Sequence, residues 1–297
     1  MASTLPFRRV AVIGTGLIGG SFALALRKQF PEISAVGYNR GARAERAREL
    51  GAVNEATADI AAAVHGADLV YIALPIGASI EALGAIAEAV EPRALVTDAC
   101  STKAAIARAA AEHFRFGARF LGGHPMAGKE NSSIENAEAG LFRDAPYALI
   151  ATENDADARV RNFAEIVRAI GAQPVWCDAE THDWAVGIVS HLPQLLAVAL
   201  AGVVQDETDE TGLPLLLSGQ GLQDMLRLAG SPYTVWRDIL LTNKDNVSRA
   251  LDRLAQAVDH LRTRLASKEL EQEFRAANEL YQELKKLRQQ PSQTENR

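Results

Sequence analysis

The stretch RVAVIGTGLIGGSFALAL, residues 9–26, decides the fold. An apolar, β-branched run leads directly into G-x-G-x-x-G, whose glycines are Gly14, Gly16 and Gly19, and then into an apolar run of helical character. Each glycine meets a physical need: a tight turn at Gly14, close backbone approach to a pyrophosphate at Gly16, and close helix packing at Gly19. Leu17 and Ile18 fall in the opening turn of the helix, whose N-terminus favours an anion. The fingerprint is weak alone, but its strand–turn–helix setting predicts dinucleotide binding; the alternative is a glycine turn with a purely structural role.

From residue 8 to about 172, short β-rich runs alternate with helical ones: RVAVIG, ISAVGY, ADLVYIAL, ALVTDA, ARFLG, YALIA and PVWC are the predicted strands. This alternation predicts an α/β domain with a mostly parallel, doubly wound sheet. Past Cys177 the β-rich runs stop and helical periodicity takes over, so the boundaries expected are 1–174 for the nucleotide domain and 175–297 for a helical one. Leu251, Leu254, Val258, Leu261 and Leu265, then Phe274, Ala277, Leu280, Leu284 and Leu287, form an apolar stripe on charged helices. Such a stripe must be covered, either within the chain or by a second copy.

The composition is that of a folded globular protein, with 48% hydrophobic and 23% charged residues. A net charge of −6 argues against a nucleic-acid-binding face. The N-terminus lacks the apolar core of a leader and no run of about 18 uninterrupted apolar residues occurs, so a cytoplasmic protein without membrane association is expected. LPQLLAVALAGVV (192–204) reads as a buried helix. Cys100 and Cys177 have no metal-ligand spacing and read as reduced thiols, so no metal is expected.

Ligands of open α/β sheets bind beyond the carboxyl ends of the strands, and several candidate residues gather there. In GYNRGAR (37–43) the acid that would hold a ribose 2′-hydroxyl is missing; Asn39 stands in its place, followed by Arg40 and Arg43. A carboxylate would repel a 2′-phosphate, whereas Asn beside Arg accepts one, so the reading leans to NADP. NAD or dual use stays open, because Asn39 also suits a plain ribose. Leu74 and Pro75 end another strand at the same crevice. In TDACSTK (97–103), Ser101 is placed to face a ligand, to cap the next helix, or both. In GGHPMAGKE (122–130) His124 lies in what reads as a loop, at the nicotinamide end, where a neutral imidazole suits removal of a hydroxyl proton. His191, in VGIVSHLPQLL, reads alone as a packing residue, with Pro193 either in the first turn of a helix capped by Ser190 or kinking a longer one; His65, His113, His182 and His260 read as structural.

The ordered set GTGLIGGS, DACSTK, GGHPMAGKE, SHLPQ and GLQDMLRLAGSPYTVWRDILLTNKDNV resembles the prephenate/arogenate (cyclohexadienyl) dehydrogenases of tyrosine biosynthesis. The resemblance implies a Rossmann-type doubly wound sheet followed by an all-helical dimerisation domain, a homodimer, a small-molecule substrate, NADP or NAD as cofactor, and an active site in the cleft between domains. By position His124 matches the histidine that engages the substrate's 4-hydroxyl, and Ser101 a serine at the same hydroxyl. Glu130 matches an acid at the site entrance, Arg227 the arginine for the ring carboxylate, and His191 a histidine of the substrate pocket. Asp224 and Trp236 fall on matching positions. Gln194 and Gln223 replace a histidine and a lysine of some relatives, which leaves open whether a pyruvyl or an alanyl side chain is read. No chorismate mutase segment precedes and no β-rich domain follows, so tyrosine feedback through such a domain is not expected. The implied reaction is oxidative decarboxylation of prephenate or arogenate. A β-hydroxyacid or 6-phosphogluconate-type dehydrogenase and a non-catalytic, dinucleotide-sensing dimer are the alternatives.

Overall fold

The computed structural model describes residues 7–129, 131–267 and 270–289. The chain divides into two compact units, Met1–Asn246 and Val247–Arg297. The first is built on one eight-stranded sheet: β1 (Arg9–Ile13), β2 (Ser34–Tyr38), β3 (Glu55–Thr57), β4 (Leu69–Ile72), β5 (Leu95–Asp98), β6 (Arg119–Pro125), β7 (Pro146–Ile150) and β8 (Gln173–Cys177), in the order β3-β2-β1-β4-β5-β6-β7-β8. The strands from β3 to β6 are parallel; β7 runs antiparallel to β6, and β8 follows β7 in parallel. The order reverses at β1, which sends the chain one way to β2 and later the other way to β4, and this opens a crevice beyond their carboxyl ends.

Helices α1 (Leu17–Gln29), α2 (Arg43–Glu49), α3 (Ile60–Val64), α4 (Ile76–Ala89), α5 (Ala104–His113) and α6 (Ala158–Ala169) cover the sheet. With both faces covered, the central strands must be apolar throughout, and every residue of Val10–Ile13 and Leu69–Ile72 is buried. One core holds Phe22, Leu26, Tyr71, Tyr147, Phe163 and Ile166, with Phe22 stacked on Tyr71 at 3.8 Å between ring centroids. The other holds Ile13, Ile72, Ile76, Leu83 and Ile106.

Beyond β8 the chain is helical: α7 (Ala179–Val186), a π-helical segment (Gly187–His191), α8 (Leu192–Asp206), α9 (Leu213–Leu216), α10 (Gln220–Leu226), α11 (Tyr233–Thr242) and α12 (Lys244–Thr263), then α13 (Leu270–Gln289). The first unit runs to Asn246 and so includes α7 to α11. Four side-chain hydrogen bonds tie the later helices to the sheet layer. Asp183 accepts from the amides of Lys103 and Ala104 at the start of α5. Asp238 accepts from the Gly77 amide in the first turn of α4 at 3.0 Å, and the Thr102 and Thr242 hydroxyls bond at 2.8 Å. Orphan amides at two helix N-termini are thus satisfied by carboxylates from the helical region.

Three sequence expectations change. β3 was not foreseen, since three half-exposed residues at a sheet edge carry no apolar pattern. LPQLLAVALAGVV is not a buried helix: α7, the π segment and α8 form one continuous helix, Ala179–Asp206, with mean hydropathy 1.8 over its most apolar window and only 28% of that window buried. This helix is apolar and long enough to cross a bilayer by length and composition alone, yet it carries His182, Asp183 and His191 on its buried face. Pro193 lies in that longer helix, just beyond the π segment, where it lacks an amide to donate. His124, expected in a loop, is in strand β6, as described below. In the second unit, Val258, Leu261, Leu265, Phe274, Leu280, Leu284 and Leu287 are exposed, so the apolar stripe is left open among the described residues.

Candidate active site

The glycine loop closes tightly on the end of β4. Gly14 has φ +101°, its amide donates to the Tyr38 carbonyl at 2.9 Å, and a Cβ there would lie 2.5 Å from the Ala73 carbonyl and 3.0 Å from Leu74. A Cβ on Gly19 would sit 1.9 Å from the Gly14 carbonyl, so only glycine allows α1 to start this close to β1. A Cβ on Gly16 would lie 3.1 Å from the Ser132 carbonyl oxygen, which accepts from the Leu17 amide at 2.9 Å. The Ile18 and Gly19 amides follow in the first turn, where no helical carbonyl serves them. Pro75 stands at the N-cap of α4 on the far wall, beside Leu74. Bare backbone, a helix N-terminus and the switch between β1 and β4 together fit the pyrophosphate of a nicotinamide dinucleotide.

At the end of β2, the Asn39 amide group donates to the Thr15 hydroxyl at 3.4 Å. Arg40 and Arg43 are exposed, and among the described residues neither side chain has an ionic partner. The neighbouring acids are already engaged: Glu45 with Arg48, and Glu49 and Glu135 with Arg46.

His124 lies on β6 opposite Ala148 of β7: the two strands pair at Gly122–Ile150, Gly123–Leu149, His124–Ala148 and Pro125–Tyr147. The expectation of a loop fails because the two glycines serve packing rather than turning. A Cβ on Gly122 would lie 2.9 Å from Ile150, and one on Gly123 would lie 2.7 Å from the Asp98 carbonyl. Gly123 is clamped on both sides: its amide donates to Asp98 at 3.1 Å and its carbonyl accepts from the Lys103 ammonium at 2.6 Å. Lys103, fully buried, also donates to Asp98, whose carboxylate takes the Cys100 amide as well.

His124 Nδ1 lies 3.0 Å from His182 Nε2, and His182 Nδ1 lies 2.8 Å from Asp183 Oδ1. All three side chains are buried. Burial, followed by the His182, Lys103 and His191 side chains, holds the His124 imidazole well below its ordinary range, so it is neutral at pH 7. Asp183 also bonds the Lys103 amide at 2.7 Å and the Ala104 amide at 2.9 Å, so it takes the α5 cap position that Ser101 was expected to fill. Ser101 is left half-buried at the end of β5, free of that duty.

His191 closes the π segment. Its Nδ1 lies 3.1 Å from the Asn243 Nδ2, which also donates to the Asp183 carbonyl at 2.7 Å. Its ring meets Trp236 edge-on at 5.8 Å, and burial pushes its pKa down to about 4 against the opposing pull of Asp183. Gln194 is buried in the first turn of α8. Arg227 and Asp224, at the end of α10, are exposed; Asp224 accepts from Gln220, and among the described residues no bond joins either to His124 or His191. Glu130 lies outside the described residues. His182, Asp183 and Asn243 were missed from sequence, where His182 read as structural.

Residues 22–176 match the family model for the prephenate dehydrogenase nucleotide-binding domain, and residues 178–285 match that for the prephenate dehydrogenase dimerization domain. The chain belongs to the prephenate dehydrogenase family. A prephenate dehydrogenase of Lactococcus lactis subsp. cremoris is 32% identical over 284 residues, 95% of this chain and 77% of that relative. The structure of prephenate dehydrogenase from A. aeolicus, in complex with hydroxyphenyl propionate and NAD+, superposes with a TM-score of 0.87 at 28% identity, covering 95% of this chain and all (100%) of that one. Synechocystis arogenate dehydrogenase gives a TM-score of 0.78 at 28% identity, covering 94% and 99%. Within the prephenate dehydrogenase family, the two models meet at 176/178, so His124 falls in the nucleotide-binding part and its partners His182 and Asp183 in the other.

Proposed function

We propose that this chain oxidatively decarboxylates prephenate, arogenate or both, yielding 4-hydroxyphenylpyruvate or tyrosine. The observation that carries the reading is a buried, neutral His124 whose Nδ1 is engaged by His182, which leaves Nε2 as the base. A bound nicotinamide dinucleotide supplies the acceptor for the C4 hydride. His124 takes the 4-hydroxyl proton as the hydride leaves, the C1 carboxylate departs as CO2, and its bonding electrons aromatise the ring to a phenolate. His124 then returns the proton to that oxygen, so no net proton is consumed. Ser101 orients the same hydroxyl. Buried His191 and Gln194 read the substrate's side-chain end, while Arg227 binds the carboxylate as a fork; Asp224 and Glu130 are assigned to the same site by the resemblance alone.

Gly14, Gly16, Leu17, Ile18, Gly19, Leu74 and Pro75 would hold the dinucleotide. Asn39, with the unpaired Arg40 and Arg43, supports NADP over NAD. The exposed apolar stripe, on a segment matched by a dimerization-domain model, supports a homodimer. The free, buried Cys100 is in keeping with a reducing cytoplasm. The test is to incubate the protein with NADP+ or NAD+ and with prephenate or arogenate, and to follow cofactor reduction by absorbance. Reduction with at least one substrate is expected; binding of cofactor without reduction for either substrate would leave a dinucleotide-sensing dimer instead.

A further inference from the structure

Asp183 sends two hydrogen-bonded branches to two histidines. Its Oδ1 faces His182 Nδ1 at 2.8 Å, and His182 Nε2 faces His124 Nδ1 at 3.0 Å. Its backbone carbonyl accepts from Asn243 Nδ2 at 2.7 Å, and that same amide nitrogen lies 3.1 Å from His191 Nδ1. The proton positions follow by accounting. A carboxylate only accepts, so His182 carries its proton on Nδ1 and offers a lone pair at Nε2. His124 must then donate from Nδ1, which leaves Nε2 unprotonated. In the other branch an amide nitrogen only donates, and Asn243 Oδ1 is taken up by Asn246 at 2.8 Å, so the Asn243 orientation is fixed. His191 therefore accepts at Nδ1 and, when neutral, carries its proton on Nε2.

We infer that Asp183, acting through His182 and through Asn243, is a positioning residue that sets His124 and His191 in opposite tautomers, one a proton acceptor at Nε2 and the other a hydrogen-bond donor there. The catalytic part of this inference rests on the reaction proposed above. Two neutral imidazoles in one pocket are otherwise interchangeable in chemistry; here the wiring makes one a base and the other a donor for a substrate oxygen. The same carboxylate caps α5, so the proton arrangement is built into the join between the sheet layer and α7.

The experiment uses the full chain labelled with 15N-histidine, reading imidazole nitrogen shifts near pH 7.5, together with His182→Gln and His182→Phe. Gln places an acceptor where His182 Nε2 was, whereas Phe keeps the ring volume and removes it. The wild type should show His124 protonated on Nδ1 and His191 on Nε2. His182→Phe should lose the Nδ1 preference of His124 and about 10²-fold in kcat with little change in KM, and His182→Gln should recover to within about tenfold of wild type. A wild-type His124 protonated on Nε2, matching tautomers in the two histidines, or equal kcat in all three proteins overturns the inference. If the wild type turns over neither prephenate nor arogenate, the proposed reaction fails instead, and the nitrogen shifts still decide the tautomers. If His182→Phe does not fold, the wild-type and His182→Gln spectra decide.

Discussion

Lys103 and Asp98 form an ion pair with no solvent exposure, and both grip the backbone of Gly123, the residue that precedes His124. Removing one member strands the other as an uncompensated buried charge. Lys103→Met should therefore cost about 3–5 kcal/mol of stability, more than its lost packing. Urea unfolding of the two proteins measures this; a cost under about 1 kcal/mol would show that Asp98 becomes protonated instead of staying charged.

Stability should also fall on mild acidification. His191 is pushed from an ordinary value of 6.5 down to about 4, and His124 is held well below 6.5, both first by burial. Above 6.5 both rings are neutral in the folded and unfolded chains, so they add no slope. As pH falls from 6.5 towards 4, the unfolded chain binds protons that the folded chain refuses, and stability drops with each. Urea midpoints at pH 8, 7, 6 and 5 should be level first and then decline, and His191→Asn should make the decline shallower. A midpoint as high at pH 5 as at pH 8 contradicts neutral, buried histidines.

The two ends of the substrate should separate kinetically. His124→Asn removes the proposed base and should lower kcat about 10²-fold or more with modest change in KM. Arg227→Ala removes the fork proposed for the carboxylate, a contact made before and during reaction alike, so it should act mainly through KM. Initial rates across substrate concentration distinguish them, and normal turnover by His124→Asn removes the base role.

Among the described residues Arg40 and Arg43, beside Asn39, have no ionic partner, and the acids nearby are already paired. The ratio of kcat/KM for NADP+ over NAD+ should exceed one in the wild type. In Arg40→Ala/Arg43→Ala it should fall by about tenfold, the loss of one or two charge-assisted bonds to a phosphate. An unchanged ratio means that the 2′ position is read elsewhere.

The nucleotide-binding half was legible because its signals are local. Gly14 and Gly19 are required by contacts within a single β–α turn, and the pattern shows this directly. His124 was found but misplaced, since two glycines and a proline signal a turn unless one knows that Asp98 and Ile150 press against Gly123 and Gly122 from distant parts of the chain. His182 was passed over for a periodic reason. It lies nine residues before His191, about half a turn out of phase on an ideal helix at about 100° per residue. The π-helical turn, closed by the Leu192 amide on the Gly187 carbonyl, takes up about one extra residue and brings both rings into one buried region. No spacing rule signals such a bulge, and the cap that Asp183 gives α5 joins residues 79 and 80 apart.

The apolar stripe offers the last test. Phe274, Leu280, Leu284 and Leu287 fall at helical spacing on α13 and are exposed at 74%, 58%, 50% and 62%. Fully covering one leucine is worth about 1.5–3 kcal/mol, so a helix that repeats such residues over several turns has strong reason to pair. A charge buried in the seam would cost more than the leucine contributed. Leu280→Glu/Leu284→Glu should therefore convert a dimer into a monomer at micromolar concentration, with helix content unchanged, as read by light scattering and circular dichroism. A monomeric wild type would defeat the homodimer reading, and a double variant that stays dimeric would move the seam to the equally exposed apolar side of α8, around Val198 and Val203.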